Sequence, residues 1–348
     1  MHVGIFLEER RRGASEAAAF QETLDLVQAA EAWGLDGVWL GEIHFNGARS
    51  VQSAPMALAS FIAARTRRLR VGTAVQVLPL SNPLRIAEEV ATVDHLSGGR
   101  FDFGIGRSGS VRTYDVLGVP YGESQARFLE ALDVIREAWK GRAFSYQGTF
   151  YRFESATVSP TPYQVPHPPM RMAANSEETF VQVGRLALPL FVGLRDLDIP
   201  ALRIHLEVYR RAWHDAGHAG RPDVYLRIPV YAGVTEKAAI EEPRENMLYF
   251  FRRHVELVQA GLGRADTGPS ARRQALVERV ARMSYDEILE TRVAFGTAAG
   301  LVDRLARLRE DLGLAGIVAE LNPGGLLPME AMQRTLRVLT HEVMPALR

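Results

Sequence analysis

Leu69–Pro83, LRVGTAVQVLPLSNP, and Ser97–Arg107, SGGRFDFGIGR, read as two successive buried strands that each run out into a polar loop. Their apolar residues continue with little alternation, the pattern of parallel strands covered on both faces. Between them Ser81-Asn82-Pro83 opens a helix that reaches about Leu96, and Ser97-Gly98-Gly99 ends it. Strand, crossover helix and strand make a parallel unit. Gln76 and Arg107 then stand at strand ends, where a parallel α/β barrel keeps its chemistry.

The same alternation extends in both directions. Upstream, His2–Leu7 and Gly37–Leu40 read as strands, and Phe20–Trp33 as a helix stopping at Gly34. A second helix spans Ser53–Arg65, with Ser53 as its expected cap and Pro55 in its first turn. Downstream come a helix near Gly122–Trp139 and a Pro-rich aromatic excursion, Phe144–Pro169, in which Tyr146–Phe153 has the look of a hairpin. Strands then follow at Met170–Asn175, Leu188–Gly193, Val224–Tyr231 and Ile317–Leu321, separated by helices at Glu177–Leu186, Ile199–Ala216, from Thr235, and at Thr297–Asp311. A helix over Met329–Leu347 closes the chain, and a charged, Gly/Arg-rich excursion from Gly261 to about Arg292 suits a lid. Eight strands, each followed by helical sequence, predict an α/β fold, a (β/α)8 TIM barrel with insertions, as one domain over residues 1–348.

Composition narrows the function. Lys plus Arg and Asp plus Glu both total 41, so no net field favours nucleic acid or an anionic membrane. The chain has no cysteine, which removes disulfides, iron–sulfur clusters, Cys-ligated zinc and thiol nucleophiles. No apolar run approaches the ~20 residues of a membrane span, and MHVGIFLEERRR lacks the pattern of a secretory leader. A soluble cytoplasmic enzyme is the expectation.

The strand ends gather a polar set with a single histidine: Glu8, Glu42 and His44, Gln76, Gly106 and Arg107, Asn175 and Ser176, and Tyr231. A metal-dependent hydrolase on this scaffold needs several His and Asp ligands there, so no metal is expected. Glu8 and Glu42 can serve as paired carboxylates only if their separation suits, which spacing does not fix. Lysine is nearly absent from the strand ends, which argues against Schiff-base chemistry. A pocket for a bound organic cofactor is what remains.

Val38–Phe45 (VWLGEIHF), Val71–Pro83 (VGTAVQVLPLSNP), Asp94–Arg107 (DHLSGGRFDFGIGR) and Met172–Ser176 (MAANS) together resemble the bacterial luciferase-like flavin-dependent oxidoreductases, in that family's order and over nearly the whole chain. The resemblance implies a flavin site. Arg107 would pair with the flavin phosphate, and Ala174, Asn175 and Ser176 would lead into a helix whose amides face it. Ala74–Val75 would form a cis peptide under the flavin ring, with Gln76 and Gly106 beside it. Glu42 and His44 would be catalytic, and Glu8, Ile43 and Tyr231 would line the substrate pocket.

The implied reaction uses reduced FMN, supplied by a separate flavin reductase, and O2 to oxygenate a small organic substrate through a flavin C4a-hydroperoxide. A homodimer is also implied. Departures from luciferase itself are as informative: the first of its two adjacent histidines is Ile43 here, its reactive cysteine position is Gly106, which leaves room near the flavin, and a second phosphate arginine aligns with Gln125. Arg127 is a poor substitute, since residues two apart do not share a helical face. Light emission is not implied. Two rival readings stay open, a deazaflavin-dependent hydride-transfer enzyme and a catalytically silent flavin-binding or partner subunit. So do duller roles: a structural hydrogen bond for His44, positioning for Glu42, loop contacts for Gln76 and a salt bridge for Arg107.

Overall fold

The computed structural model describes residues 1–8, 15–259 and 270–348. Eight parallel strands, each a run of buried residues, form the centre: β1 (His2–Leu7), β2 (Gly37–Leu40), β3 (Arg70–Thr73), β4 (Phe101–Gly106), β5 (Met170–Ala173), β6 (Leu190–Gly193), β7 (Val224–Ala232) and β8 (Gly316–Glu320). Each pairs with its sequence neighbours, and β8 returns to β1, which closes the barrel. The (β/α)8 fold is therefore present, with helices covering the outward faces.

Side-chain caps start the surrounding helices. Asn82 accepts from the Leu84 N–H at 2.9 Å, Asp198 from Ala201 at 2.8 Å and Thr235 from Ala238 at 3.1 Å. Each such bond contributes about 1 kcal/mol. The helix Pro55–Arg65 departs from expectation: its cap is Ala54, with no side-chain bond, and not Ser53. Proline at its first position already lacks one of the N–H groups a cap would satisfy.

The strand expected to run unbroken through the Leu69–Pro83 stretch, over Leu69–Leu78, is also corrected. β3 stops at Thr73, the Ala74–Val75 peptide is cis as the resemblance implied, and Gln76–Val77 resumes pairing with β4 at Ile105 and Gly106. This break brings the upper backbone of β3 very close to β4. A Cβ on Gly104 would lie 1.9 Å from the Thr73 carbonyl oxygen, so only glycine fits there. The Thr73 hydroxyl donates to the Gly104 carbonyl at 2.7 Å and fastens the approach.

Inside the barrel, the lower end is filled by Phe6, Trp39, Phe191, Tyr225 and Val318. Trp39 lies 5.3 Å from the Phe191 ring and 5.6 Å from Tyr225. Arg171 stacks over Tyr225 at 3.9 Å and pairs with Asp102 at 2.8 Å, which also takes Arg70 at 2.5 Å. His2 sits among these groups, and burial pushes its imidazole down to about 4 despite the carboxylates of Asp102 and Asp36. The plug leaves only the upper, C-terminal mouth open to chemistry.

The excursion Phe144–Pro169 carries an antiparallel pair, Phe144–Gln147 with Arg152–Ala156. Of the Gly261–Arg292 excursion, residues 261–269 lie outside the described residues, and the rest holds the helices Ser270–Ala281 and Tyr285–Thr291. An unexpected short strand, Ala294–Gly296, pairs with the top of β7. Among the described residues no helix is long and apolar enough to cross a membrane.

Candidate active site

The ends of β2, β3, β4 and β5 are adjacent, so the barrel brings together Glu42, Gln76, Arg107 and Ala174–Ser176. Glu42 is the anchor. Its Oε1 is 2.8 Å from His44 Nε2, and its Oε2 accepts the Val77 N–H at 2.8 Å. The carboxylate thus ties the loop after β2 to the resumed part of β3. Burial pushes the Glu42 carboxyl above its ordinary range, while the hydrogen bonds from His44 and Val77 pull the other way. With Glu42 ionised, a neutral imidazole carries its proton on Nε2, which leaves Nδ1 as an acceptor.

The loop is held from beneath. Gln52 donates to the Gly41 carbonyl at 2.7 Å, and its own carbonyl accepts the Ile43 N–H at 2.9 Å. Phe45, next to His44, takes φ +53°, a left-handed conformation that a bulky residue adopts only when its neighbours enforce it. Arg49 further along donates through Nε and Nη2 to both Glu8 oxygens at 2.8 Å, so Glu8 is committed to that pair. Ile43 is half-buried.

Two features of this group fit a flavin nucleotide. Gln76 is only 7% exposed, and its Oε1 has no partner, an acceptor set beside the cis peptide and waiting for an N–H. Arg107 is half-buried and spends one hydrogen bond on Ser124 Oγ at 3.1 Å, while its carbonyl is pinned by the Tyr114 hydroxyl. The rest of its planar fork is available to a phosphate. Ser176 caps the helix Glu177–Arg185, accepting from Thr179, and presents that helix end on the neighbouring strand. Glu177 and Glu178 in its first turn compete with an anion there, which puts more of the phosphate's charge on Arg107.

Other expectations are moved. The space at Gly106 is not open: a Cβ there would meet Val75 Cγ2 at 2.5 Å, so this glycine makes room for Val75. Gln125 donates to Gln182, and Arg127 pairs with Glu123 at 2.7 Å over the Phe150 ring, which leaves neither directed at Arg107. Tyr231 is not in the mouth. It is 1% exposed in a side cluster with Leu327 and Ala331, its hydroxyl bound to Glu242 and Arg334.

The structure adds groups that sequence reading passed over. Past β6, Arg195 faces the mouth beside Arg49, and Asp196 accepts from His254 at 2.6 Å and from Asn175 at 3.2 Å. The carboxyl of Asp196 would be raised by burial, but the bond and charge of His254, with Arg195, hold it well below the usual carboxylate range. The turn itself is fixed by Arg292, fully buried, whose Nη1 donates to the carbonyls of Leu194 (2.9 Å), Arg195 (3.2 Å) and Leu197 (2.7 Å). Arg195 lies in the turn beyond Gly193, where the period of two of the strand no longer says which way a side chain faces.

Comparison with known proteins gives the family and the fold. The family model for luciferase-like monooxygenases matches residues 1–316. The chain is 27% identical to the oxygenase component of a flavin-dependent trigonelline monooxygenase from Acinetobacter baylyi, over 98% of this chain and 94% of that one. An uncharacterized Sinorhizobium fredii protein is 35% identical over 176 residues, and there the chain spans only about half (51%) of the relative's length. Among solved structures, the oxygenating constituent of the 3,6-diketocamphane monooxygenase of Pseudomonas putida, in complex with FMN, superposes with TM-score 0.82 at 18% identity, covering 99% of this chain and 98% of that one. A coenzyme F420-dependent tetrahydromethanopterin reductase from Methanopyrus kandleri shares the fold with TM-score 0.73 at 18% identity, over 100% of this chain and 99% of that one.

Proposed function

The chain belongs to the luciferase-like monooxygenase family, and on that premise we propose that it is the oxygenase component of a two-component system. It takes reduced FMN from a separate flavin reductase and uses O2 to oxygenate a small organic substrate. The single observation that carries the cofactor assignment is the buried, unpartnered Gln76 Oε1 beside Ala74–Val75, one strand from Arg107. The full-length likeness to an oxygenase component supports the separate reductase.

Bound reduced FMN supplies the electrons that activate O2, one oxygen atom going to substrate and the other to water. The chain's own residues do the rest. Arg107 and the helix end at Ser176 would hold the phosphate, and Gln76 would accept an N–H of the ring. Glu42 fixes the His44 tautomer so that Nδ1 takes or returns a proton at the reacting face. The loop 41–52, pinned by Gln52 and Arg49, would limit water at that face.

The homodimer is proposed on the apolar side chains left outward on the helices after β2 and β3, Phe61 at 42% and Leu96 at 61% exposed. Stopped-flow absorbance tests the reaction class. Protein loaded with photoreduced FMN and mixed with oxygenated buffer should pass through a long-lived absorbance distinct from reduced and oxidised FMN. Tight binding of oxidised FMN without that phase supports a silent subunit. Absence of FMN binding together with binding of coenzyme F420 supports the hydride-transfer enzyme.

A further inference from the structure

We propose that the cleft between the turn at residues 46–50, the end of β6 and the helix Arg244–Gln259 is a carboxylate-recognition subsite, and that the substrate is an organic acid anion held by Arg195. The proposal deepens the oxygenase reading, on which it rests for placing a substrate at this mouth.

The cleft is lined by Arg49, Arg195, Tyr249, Phe250, Arg253 and His254. Three guanidiniums converge there, and their charges are not equally spent. Arg49 is bound to both Glu8 oxygens, and Arg253 pairs with Glu256 at 2.6 Å. The nearby carboxylate of Asp196 has both oxygens occupied, Oδ1 by His254 and Oδ2 by Asn175. Glu320, the other carboxylate close by, is taken by Arg227 at 2.5 Å. Arg195 is left half-buried, and its guanidinium has no hydrogen bond or ion pair among the described residues.

Such a group is costly to keep without a partner, since burial and the Arg49 guanidinium push Arg195 down to about 10 while Asp196 and Glu320 only partly compensate. The fold nonetheless builds the site firmly. Arg292 clamps the carbonyls of Leu194, Arg195 and Leu197, and Arg279 donates to the Asp196 carbonyl at 3.3 Å. A planar fork with five donors, held on a fixed turn, matches a carboxylate in two-point geometry. Tyr249 and Phe250 on the adjacent helix offer an apolar wall for the body of the same molecule.

Benzoate and benzamide, alike in shape and different in charge, test this by titration calorimetry on the cofactor-free chain, in wild type, Arg195→Gln, Arg195→Lys and Arg107→Ala. Wild type should bind benzoate about tenfold or more tighter than benzamide, one charged contact's worth. R195Q should reduce the preference below about twofold, R195K should keep part of it, and R107A should leave it unchanged. Equal binding of the two probes by wild type, or an undiminished preference in R195Q with native circular dichroism, overturns the proposal. FMN titration separates the two readings. FMN binding lost in R107A and kept in R195Q leaves the flavin site where it is proposed, whatever benzoate does. FMN binding lost in R195Q and kept in R107A assigns the cleft to the flavin phosphate and overturns this subsite. Benzoate preference without any FMN binding sinks the flavin reading and leaves the anion subsite standing.

Discussion

Substituting alanine for Gly104 should damage the candidate site without touching any functional side chain. The new Cβ would sit 1.9 Å from the Thr73 carbonyl oxygen and 3.0 Å from its carbon, both backbone atoms of the adjacent strand. Reaching an ordinary C···O contact of about 3.3 Å requires β3 and β4 to part by roughly 1.4 Å. Overpacking of this kind costs about 1–3 kcal/mol. The buried Thr73–Gly104 hydrogen bond, 2.7 Å long, is lost with the separation and adds about 1 kcal/mol. The total, about 2–4 kcal/mol, lowers the midpoint of thermal unfolding by roughly 3–5 °C in a chain of this size. Because Gln76 and Arg107 lie just beyond the two displaced strands, FMN affinity should fall about tenfold or more in parallel. Gly109→Ala is the control, since a Cβ there meets nothing within 4 Å. Differential scanning fluorimetry and flavin-fluorescence titration read both quantities. G104A that unfolds within a degree of wild type and binds FMN equally well would refute the reasoning.

Further consequences follow from individual groups. Arg107→Ala should weaken FMN by about 3 kcal/mol, two charge-assisted bonds, and leave riboflavin binding unchanged; equal loss for both flavins would remove the phosphate role. Glu42→Gln can keep the Val77 N–H on its amide oxygen, but its NH2 then donates to His44 Nε2 and moves the imidazole proton to Nδ1, so it should cost about 1 kcal/mol in stability and shift the pH profile of oxygenation, a pair of effects that urea unfolding and initial rates can check. His2 is pushed below its unfolded value of 6.5 to about 4, so the unfolded chain binds the proton more readily and stability falls as pH drops through this window. Between pH 7 and 5 the loss is about 2 kcal/mol, and His2→Gln should flatten that part of the urea-midpoint profile; an unchanged slope would contradict it.

Much of this was legible in the sequence, for reasons tied to particular residues. Continuous apolar runs such as His2–Leu7 and Phe101–Gly106 identify buried parallel strands directly, and those two match residue for residue. Motifs that a single strand end carries, such as Arg107 or Glu42 with His44, can be placed once the strands are placed. The break in β3 leaves no mark in composition, because Ala74–Val75 is as apolar as its flanks; only the family resemblance pointed to the cis peptide that the structure shows there. Gly106 was misread because the neighbour that fills its space, Val75, arrives from another strand. Arg195 and Arg49 were passed over since their meaning lies in which charges are already taken: Asp196 by His254 and Asn175, Glu320 by Arg227, and Arg49 itself by Glu8. Pairing across 21 to 93 residues is a property of the fold and is invisible to local pattern.

A crystal structure of the chain soaked with FMN tests the central claim most directly. The account predicts phosphate density within hydrogen-bonding distance of Arg107 and the helix end at Ser176, with the ring against Ala74–Val75 and a ring nitrogen facing Gln76 Oε1. Phosphate density on Arg195 in the cleft beside Arg49, with Gln76 still unpartnered, would contradict it.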